Sequence, residues 1–290
     1  MSIYKNPEAK ITMMNLYEDK LKSCAFDEYE ELYIETSFGK THVIISGPKS
    51  AEPLVILHGI NAGAPMAMEP VAHLNKERRL IGIDTPGQAG KSDERRLKMN
   101  SDEYGQWLLE TLNGLNLEQV DIVAVSYGAF LLQKLIAFAP SKIKKAIFIV
   151  PSGFVSGSMM TSMKLLSFPL LRFLMTKKDE HLKKFLSAFY SDIDSFAMDM
   201  QRTLLLDFKM DYSRPLLMKE RESKGFDQPV YVMVADTDVF FPGPKALERC
   251  KTLFKNIKGT HILKACKHIP GKDRYEEIAK KIEFWLKNEQ

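Results

Sequence analysis

An α/β fold is what this 290-residue sequence predicts: one mostly parallel eight-stranded sheet with helices on both faces and a helical insertion. Three observations carry that expectation. Short Val- and Ile-rich runs alternate with longer amphipathic ones, the pattern of βαβ units. Two of the runs, VDIVAV and KKAIFIV, are almost continuously apolar, as strands covered on both faces are. A long stretch, from about 152 to 228, lacks any strand pattern and reads as helix.

In chain order, the expected strands are Leu32–Thr36, His42–Ser46, Pro53–His58, Leu80–Asp84, Val120–Val125, Lys145–Val150, Val230–Ala235 and His261–Lys264. Between them, Tyr104, Trp107, Leu108, Thr111, Leu112 and Leu115 recur at helical spacing, with Ser101 as the expected N-cap. Near the C-terminus Tyr275, Ile278, Ile282 and Trp285 do the same. In the strandless stretch, SMMTSMKLLSFPLLRFLM, HLKKFLSAFY and FAMDMQRTLLLDFKM read as three helical pieces. The core is therefore expected in residues 1–151 and 229–290, with 152–228 inserted between two strands.

Composition narrows the function. A formal charge of +4 with no basic tail gives no case for nucleic acid. Lys177-Lys178 and Lys183-Lys184 alternate with acidic and apolar residues and read as a solvated helix face. No run approaches the length of a membrane span, and the charged N-terminus has no apolar core of a signal peptide. Cys24, Cys250 and Cys266 are odd in number, widely spaced and without a CxxC. That pattern fits a reducing cytoplasm and argues against a disulfide framework or a structural zinc. No cofactor or metal is expected, and a homodimer is left open.

The stretch DTPGQAGKS, residues 84–92, imitates a nucleotide site: Asp84-Thr85-Pro86-Gly87 has the form of a GTPase switch, and Gly90-Lys91-Ser92 the tail of a phosphate loop. A phosphate loop needs GxxxxGK[ST], so that successive N–H groups wrap the phosphates. Five residues before Gly90 stands Thr85, and no base-reading motif follows. Asp84 and Gly87 are then turn residues, and Lys91 a solvated loop lysine.

A sharper pattern is VDIVAVSYGAFLLQKLIAF, where a buried strand runs through Ser126 directly into a helix, with Ala124 and Gly128 two residues to either side. Small neighbours let strand and helix approach closely around a strained turn, which exposes the serine hydroxyl beside a helix N-terminus. A serine nucleophile needs a base and an orienting acid. His268 lies in a loop after the last strand, whereas His42, His73, His181 and His261 lie on expected strands or helices. His58 reads as a loop brace. Asp236 and Asp238 both follow the penultimate strand. The loop after LVILHG supplies backbone donors for an oxyanion hole: the N–H of Ile60, with that of Tyr127 after the serine.

Together, HG after one strand, D-x-PG-x-x-G-x-S after the next, S-x-G at the elbow, D-x-D late in the chain and a His before the last helix resemble the α/β-hydrolase superfamily. The likeness runs from about Pro53 to the C-terminus and is greatest for carboxylesterase-like members with a helical cap. It implies Ser126 as nucleophile, His268 as base and Asp238, rather than Asp236, as acid. It also makes the 84–92 stretch a structural loop near the site. Ala124 stands where the family usually has Gly, and Lys267 where it often has Gly before its His. The lysine is expected to reshape that loop or to place a charge beside the imidazole.

Relatives that act on haloalkanes or epoxides carry Asp at the elbow, so a serine points to carbonyl attack and a carboxylic ester as substrate. The methionines of 152–228, with Phe168, Phe173, Phe185, Phe189 and Phe196, either line an apolar pocket or hold the insertion together. C–C bond hydrolysis, lyase or perhydrolase chemistry on the same residues stays open, as does a non-enzymatic small-molecule receptor.

Overall fold

Eight strands, alternately buried and solvent-facing at the edges but apolar throughout at the centre, hydrogen-bond into one sheet in a computed structural model that describes residues 2–210 and 215–288. They are β1 (Tyr29–Thr36), β2 (Gly39–Ser46), β3 (Pro53–Leu57), β4 (Arg79–Ile83), β5 (Val120–Val125), β6 (Ile143–Ile149), β7 (Val230–Ala235) and β8 (Ile257–Leu263). Their order across the sheet is β1-β2-β4-β3-β5-β6-β7-β8. β1 and β2 form an antiparallel hairpin, β2 is antiparallel to β4, and every other neighbour is parallel.

Each expected strand is present: Val120–Val125 and Val230–Ala235 with the same bounds, the other six with shifted ends. β1 begins at Tyr29 because the hairpin keeps its register from Tyr29↔Ser46 down to Thr36↔Gly39. β8 begins at Ile257, where it pairs with Val230; as an edge strand it tolerates Lys258 facing solvent. His58, Asp84 and Val150 fall just outside the ladders, at the carboxyl edge of the sheet.

Helices cover both faces. They are α1 (Pro7–Ser23), α2 (Ala64–Met68), α3 (Glu103–Gly114), α4 (Tyr127–Phe138), α5 (Met159–Ser162), α6 (Phe168–Thr176), α7 (Asp179–Leu186), α8 (Ser195–Asp207), α9 (Glu220–Ser223), α10 (Gly243–Leu253) and α11 (Tyr275–Lys287). One face buries Trp107 and Leu108 of α3, Phe130 of α4 and Cys250 of α10 against the sheet. The other buries Tyr17 and Leu21 of α1, Met68 of α2 and Ile282 and Trp285 of α11. Trp107 satisfies its indole N–H by donating to Thr41 Oγ1 at 2.7 Å. Lys145, buried within apolar β6, donates to the Leu286 carbonyl at 2.8 Å and so caps the end of α11.

α1 is an element the sequence reading lacked. Its start is marked by Asn6, whose side chain accepts the Ala9 N–H at 2.7 Å, and by Pro7 in the first turn. Its buried stripe, Ala9, Met13, Tyr17 and Leu21, is narrow, and the remaining positions are largely charged or polar. The N-cap of α3 is Asp102 rather than Ser101. Ser101 instead turns its hydroxyl to the Lys98 carbonyl at 2.9 Å, bracing the preceding turn.

Between β6 and β7 the chain is helical. α5 continues through a π-helical turn, Met163–Ser167, into α6, and α7 packs on α6 around Phe173, Leu182 and Leu186. α8 packs on α1 through Met13, Met200 and Leu204. Two isolated bridges tie this segment to the rest of the molecule: Tyr4 pairs with Phe208, and Tyr190 pairs with Ile269.

Candidate active site

The parallel strands all point their carboxyl ends at one edge, where the loops after β3, β4, β5, β7 and β8 converge. After β5, Ser126 takes φ +51 and ψ −110, a strained conformation for any residue with a Cβ. Closeness explains its neighbours. A Cβ on Gly128 would lie 2.4 Å from the Leu57 carbonyl oxygen, and Ala124 is fully buried between β3 and β6. The turn is held by its backbone: Ser126 N–H donates to Ile149 O at 2.9 Å, and Ser126 O accepts the Ser152 hydroxyl at 2.9 Å.

Ser126 Oγ lies 2.9 Å from His268 Nε2. On the other side of the ring, His268 Nδ1 lies 2.7 Å from Asp238 Oδ2. The second carboxylate oxygen, Oδ1, accepts the N–H groups of Phe240 and Phe241 at 2.8 and 3.0 Å. Those phenylalanines also fix the imidazole between two edge-on rings, with centroids 5.1 and 5.4 Å away. Residue pattern had not singled them out, although VFFP directly after the D-x-D was the available signal.

Asp236 does something different. It accepts the N–H groups of Ala265 and Cys266 at 3.0 and 3.1 Å, tying the turn after β7 to the loop that carries His268. Those backbone bonds hold its carboxyl below the ordinary range.

Ile60 lines the cavity in front of Ser126, and Tyr127 is the first residue of α4. Gly59, the residue before Ile60, packs close to Ser126, since a Cβ there would stand 3.7 Å from the serine Cβ. The Tyr127 side chain turns away into the core against Tyr104 and Phe130.

DTPGQAGKS braces this loop. Asp84 is fully buried and accepts Ala64 N–H at 2.7 Å, Lys91 N–H at 2.8 Å, the Tyr17 hydroxyl at 2.9 Å and His42 Nδ1 at 2.9 Å. Burial alone would raise its carboxyl; the bonds and charge of His42 outweigh that and hold it below the ordinary value of 3.8. Gln88 accepts the Asn61 N–H at 2.6 Å. His58 accepts the Thr85 N–H at 2.9 Å and donates to its neighbour's carbonyl, Gly59 O, at 2.7 Å. Burial pushes the His58 imidazole below its usual range, which suits that neutral, bracing role.

Two expectations need correction. Lys91 is no solvated lysine: its ammonium is paired with Glu18 at 2.6 Å and with Glu31, joining the loop to α1 and β1. Lys267 puts no charge toward the imidazole. Its Nζ donates to the Ser187 carbonyl at 2.6 Å and its N–H to Ser191 Oγ at 2.9 Å, fastening the His268 loop to the end of α7.

A cavity of about 420 Å³ opens beside Ser126 and His268. Phe185, Phe189, Phe196, Met200 and Met210 contribute to its wall, whereas Phe173 is buried among the helices and Phe168 is exposed. Both readings of the aromatic and methionine residues thus hold, each for part of the set. Its polar rim includes Lys20 and Glu69, an almost fully buried pair at 2.9 Å whose carboxylate also accepts the Tyr275 hydroxyl at 3.1 Å. His268 is the histidine in the cavity wall; His73 is exposed, and His261 is paired with Glu277 at 2.7 Å. Among the described residues no group of His, Cys, Asp and Glu is arranged to hold a metal.

A parallel-centred sheet with a serine on a strand-to-helix elbow at its carboxyl edge defines the class of architecture: the chain has the α/β-hydrolase fold. The model of the family described as alpha/beta hydrolase fold matches residues 52–192. The chain is 31% identical over 123 residues to an uncharacterized carboxylesterase, nap, of Bacillus subtilis (strain 168); that match spans 42% of this chain and 41% of the relative, under half its length. Over a longer span it is 23% identical to carboxylesterase YbfK of the same organism across 278 residues, 89% of this chain and 88% of the relative. The crystal structure of that carboxylesterase, CesB (YbfK), superposes with a TM-score of 0.82 at 21% identity, covering 98% of this chain and 100% of the other.

Proposed function

We propose that this chain is a serine carboxylesterase that cleaves small-to-medium apolar esters through an acyl-enzyme intermediate. The observation that carries the reading is the Asp238–His268–Ser126 hydrogen-bond relay facing the cavity. The names of the two Bacillus carboxylesterases support the same substrate class.

In the first half-reaction Ser126 Oγ attacks the ester carbonyl carbon while His268 Nε2 takes the hydroxyl proton. Asp238 stabilises the imidazolium through Nδ1–H. The carbonyl oxygen becomes an oxyanion, which the N–H groups of Ile60 and Tyr127 receive. Collapse breaks the C–O bond, and His268 returns its proton to the leaving alcohol. Water, deprotonated by the same imidazole, then releases the acid and restores Ser126. Residues 152–228 act as a cap that supplies Phe185, Phe189 and Met200 to the wall against the apolar part of the substrate. The protein works without cofactor or metal, and its three buried free cysteines suit a reducing cytoplasm.

The test is hydrolysis of p-nitrophenyl acetate, butyrate and octanoate by the wild type and Ser126→Ala. The wild type should turn over at least the shorter esters, and the variant should lose about a thousandfold or more in kcat/KM. Turnover that survives in Ser126→Ala refutes the nucleophile. No turnover by either protein moves C–C bond hydrolysis ahead of ester cleavage.

A further inference from the structure

One helix on this molecule is apolar nearly all round and yet buried almost nowhere. From Met159 to Thr176 the chain is continuously helical, and Phe173 is the one buried residue among those positions. Met159, Met160, Phe168, Leu171 and Met175 are each more than half exposed, Met160 by 81%. Eight of the fifteen large apolar residues exposed among the described residues fall in this one stretch. Single exposed apolar side chains are ordinary on any protein, but such a cluster marks a surface that another phase or molecule covers. A helix apolar on all sides is normally buried in a core or in lipid.

The charges around it select the occupant. Between residues 158 and 184 stand Lys164, Arg172, Lys177, Lys178, Lys183 and Lys184, against only Asp179 and Glu180. All six cations are exposed. Asp179 is already paired with Arg202 of α8. An apolar face bordered by lysines is the chemistry of a helix that lies in the headgroup region of an anionic bilayer: the side chains enter the acyl boundary and the ammonium groups meet lipid phosphates. A protein partner of acidic character would not need so many flexible methionine and leucine side chains in open solvent. The helix also sits directly on α7, whose Phe185, with Phe189 just beyond the helix end, forms part of the cavity wall. A membrane held there would lie next to the wall of the site, where apolar molecules partition out of lipid.

We propose that helix 159–176, with the lysines that follow it, docks this protein peripherally onto an anionic phospholipid surface. No spanning is involved, since no helix among the described residues is long and apolar enough to cross a membrane. The lysine pairs are then part of a binding face, which departs from the solvated-face reading of the sequence. The proposal does not depend on the reaction at Ser126.

The experiment is co-sedimentation of the full chain with vesicles of phosphatidylcholine alone and with about 30% phosphatidylglycerol added. The wild type should pellet with the anionic vesicles and far less with the neutral ones, and raising salt from about 0.1 to about 0.5 M should weaken it. Two variants leave the cavity untouched: M160S/F168S/M175S and K177E/K178E. Each should weaken partitioning by about tenfold or more while keeping the wild-type melting temperature within a few degrees. Equal pelleting with both vesicle types, or none with either, overturns the proposal. So does a wild-type dimer in sedimentation velocity that M160S/F168S/M175S turns into a monomer, because the face then belongs to a second copy of the chain.

Discussion

At the scale of single residues, two aspartates two positions apart carry different tasks, and the difference is geometric. Asp238 spends one oxygen on His268 and the other on two backbone N–H groups, so its orientation is fixed from both sides. Asp236 spends both oxygens on the backbone of the Ala265–Cys266 turn. Asp238→Asn is therefore expected to lower kcat/KM by about three to four orders of magnitude, because the amide favours the wrong imidazole tautomer. Asp236→Asn should act on stability, costing on the order of 1 kcal/mol with a modest effect on turnover. Steady-state kinetics and thermal melts of the two variants decide the matter; the opposite ranking would exchange their roles. Residue pattern left both acids open, since D-x-D has the same spacing whichever one faces the histidine. The choice of Asp238 came from family resemblance.

At the scale of elements, the strand–elbow–helix unit shows how much of the site is local. The buried strand VDIVAV, the small Ala124 and Gly128, and the apolar start of α4 were legible because the elbow's steric demand is written within a few residues of Ser126. Gly128→Ala pushes a methyl to 2.4 Å from the Leu57 carbonyl, against backbone that cannot swing aside. It should destabilise the protein by about 1–3 kcal/mol and cut activity further than the stability loss alone explains. Chemical denaturation beside kinetics at a temperature where the variant is folded measures both; wild-type values would show the elbow to be looser than described. α1 was illegible for the opposite reason. Its contacts are with distant parts of the chain, and its narrow stripe of Ala9, Met13, Tyr17 and Leu21 is set among charged and polar residues that dilute the local pattern. The helices of residues 152–228 were readable, yet their division between wall and core was not. Phe185 and Phe173 have the same chemistry, and only packing assigns one to the cavity and the other to the interior.

For the whole molecule, Asp84 is where separate parts of the chain meet. Its carboxylate joins Tyr17 of α1, His42 of β2, the start of α2 and the loop at Lys91. Because its folded value is depressed, ionised Asp84 stabilises the fold fully above the unfolded value near 3.8, and that contribution drains away as pH falls below it. Asp84→Asn should cost about 3 kcal/mol or more near neutral pH, with a smaller difference from wild type in acid as the native carboxyl gains its own proton. Denaturation curves at several pH values test this, and a difference independent of pH would remove Asp84 from the linkage.

What the sequence by itself determined is what repeats or crowds locally. The strand positions follow from apolar runs, the α/β class from their alternation with helices, and the serine elbow from small residues at fixed offsets. What only the tertiary structure decided is what depends on distance through space. Ser126 and His268 are separated by 142 positions, Lys91 meets Glu31 from 60 positions away, and Lys267 reaches back 80 positions to α7. Such pairings leave no period in the sequence, because a hydrogen bond constrains where two side chains end and not how far apart they began.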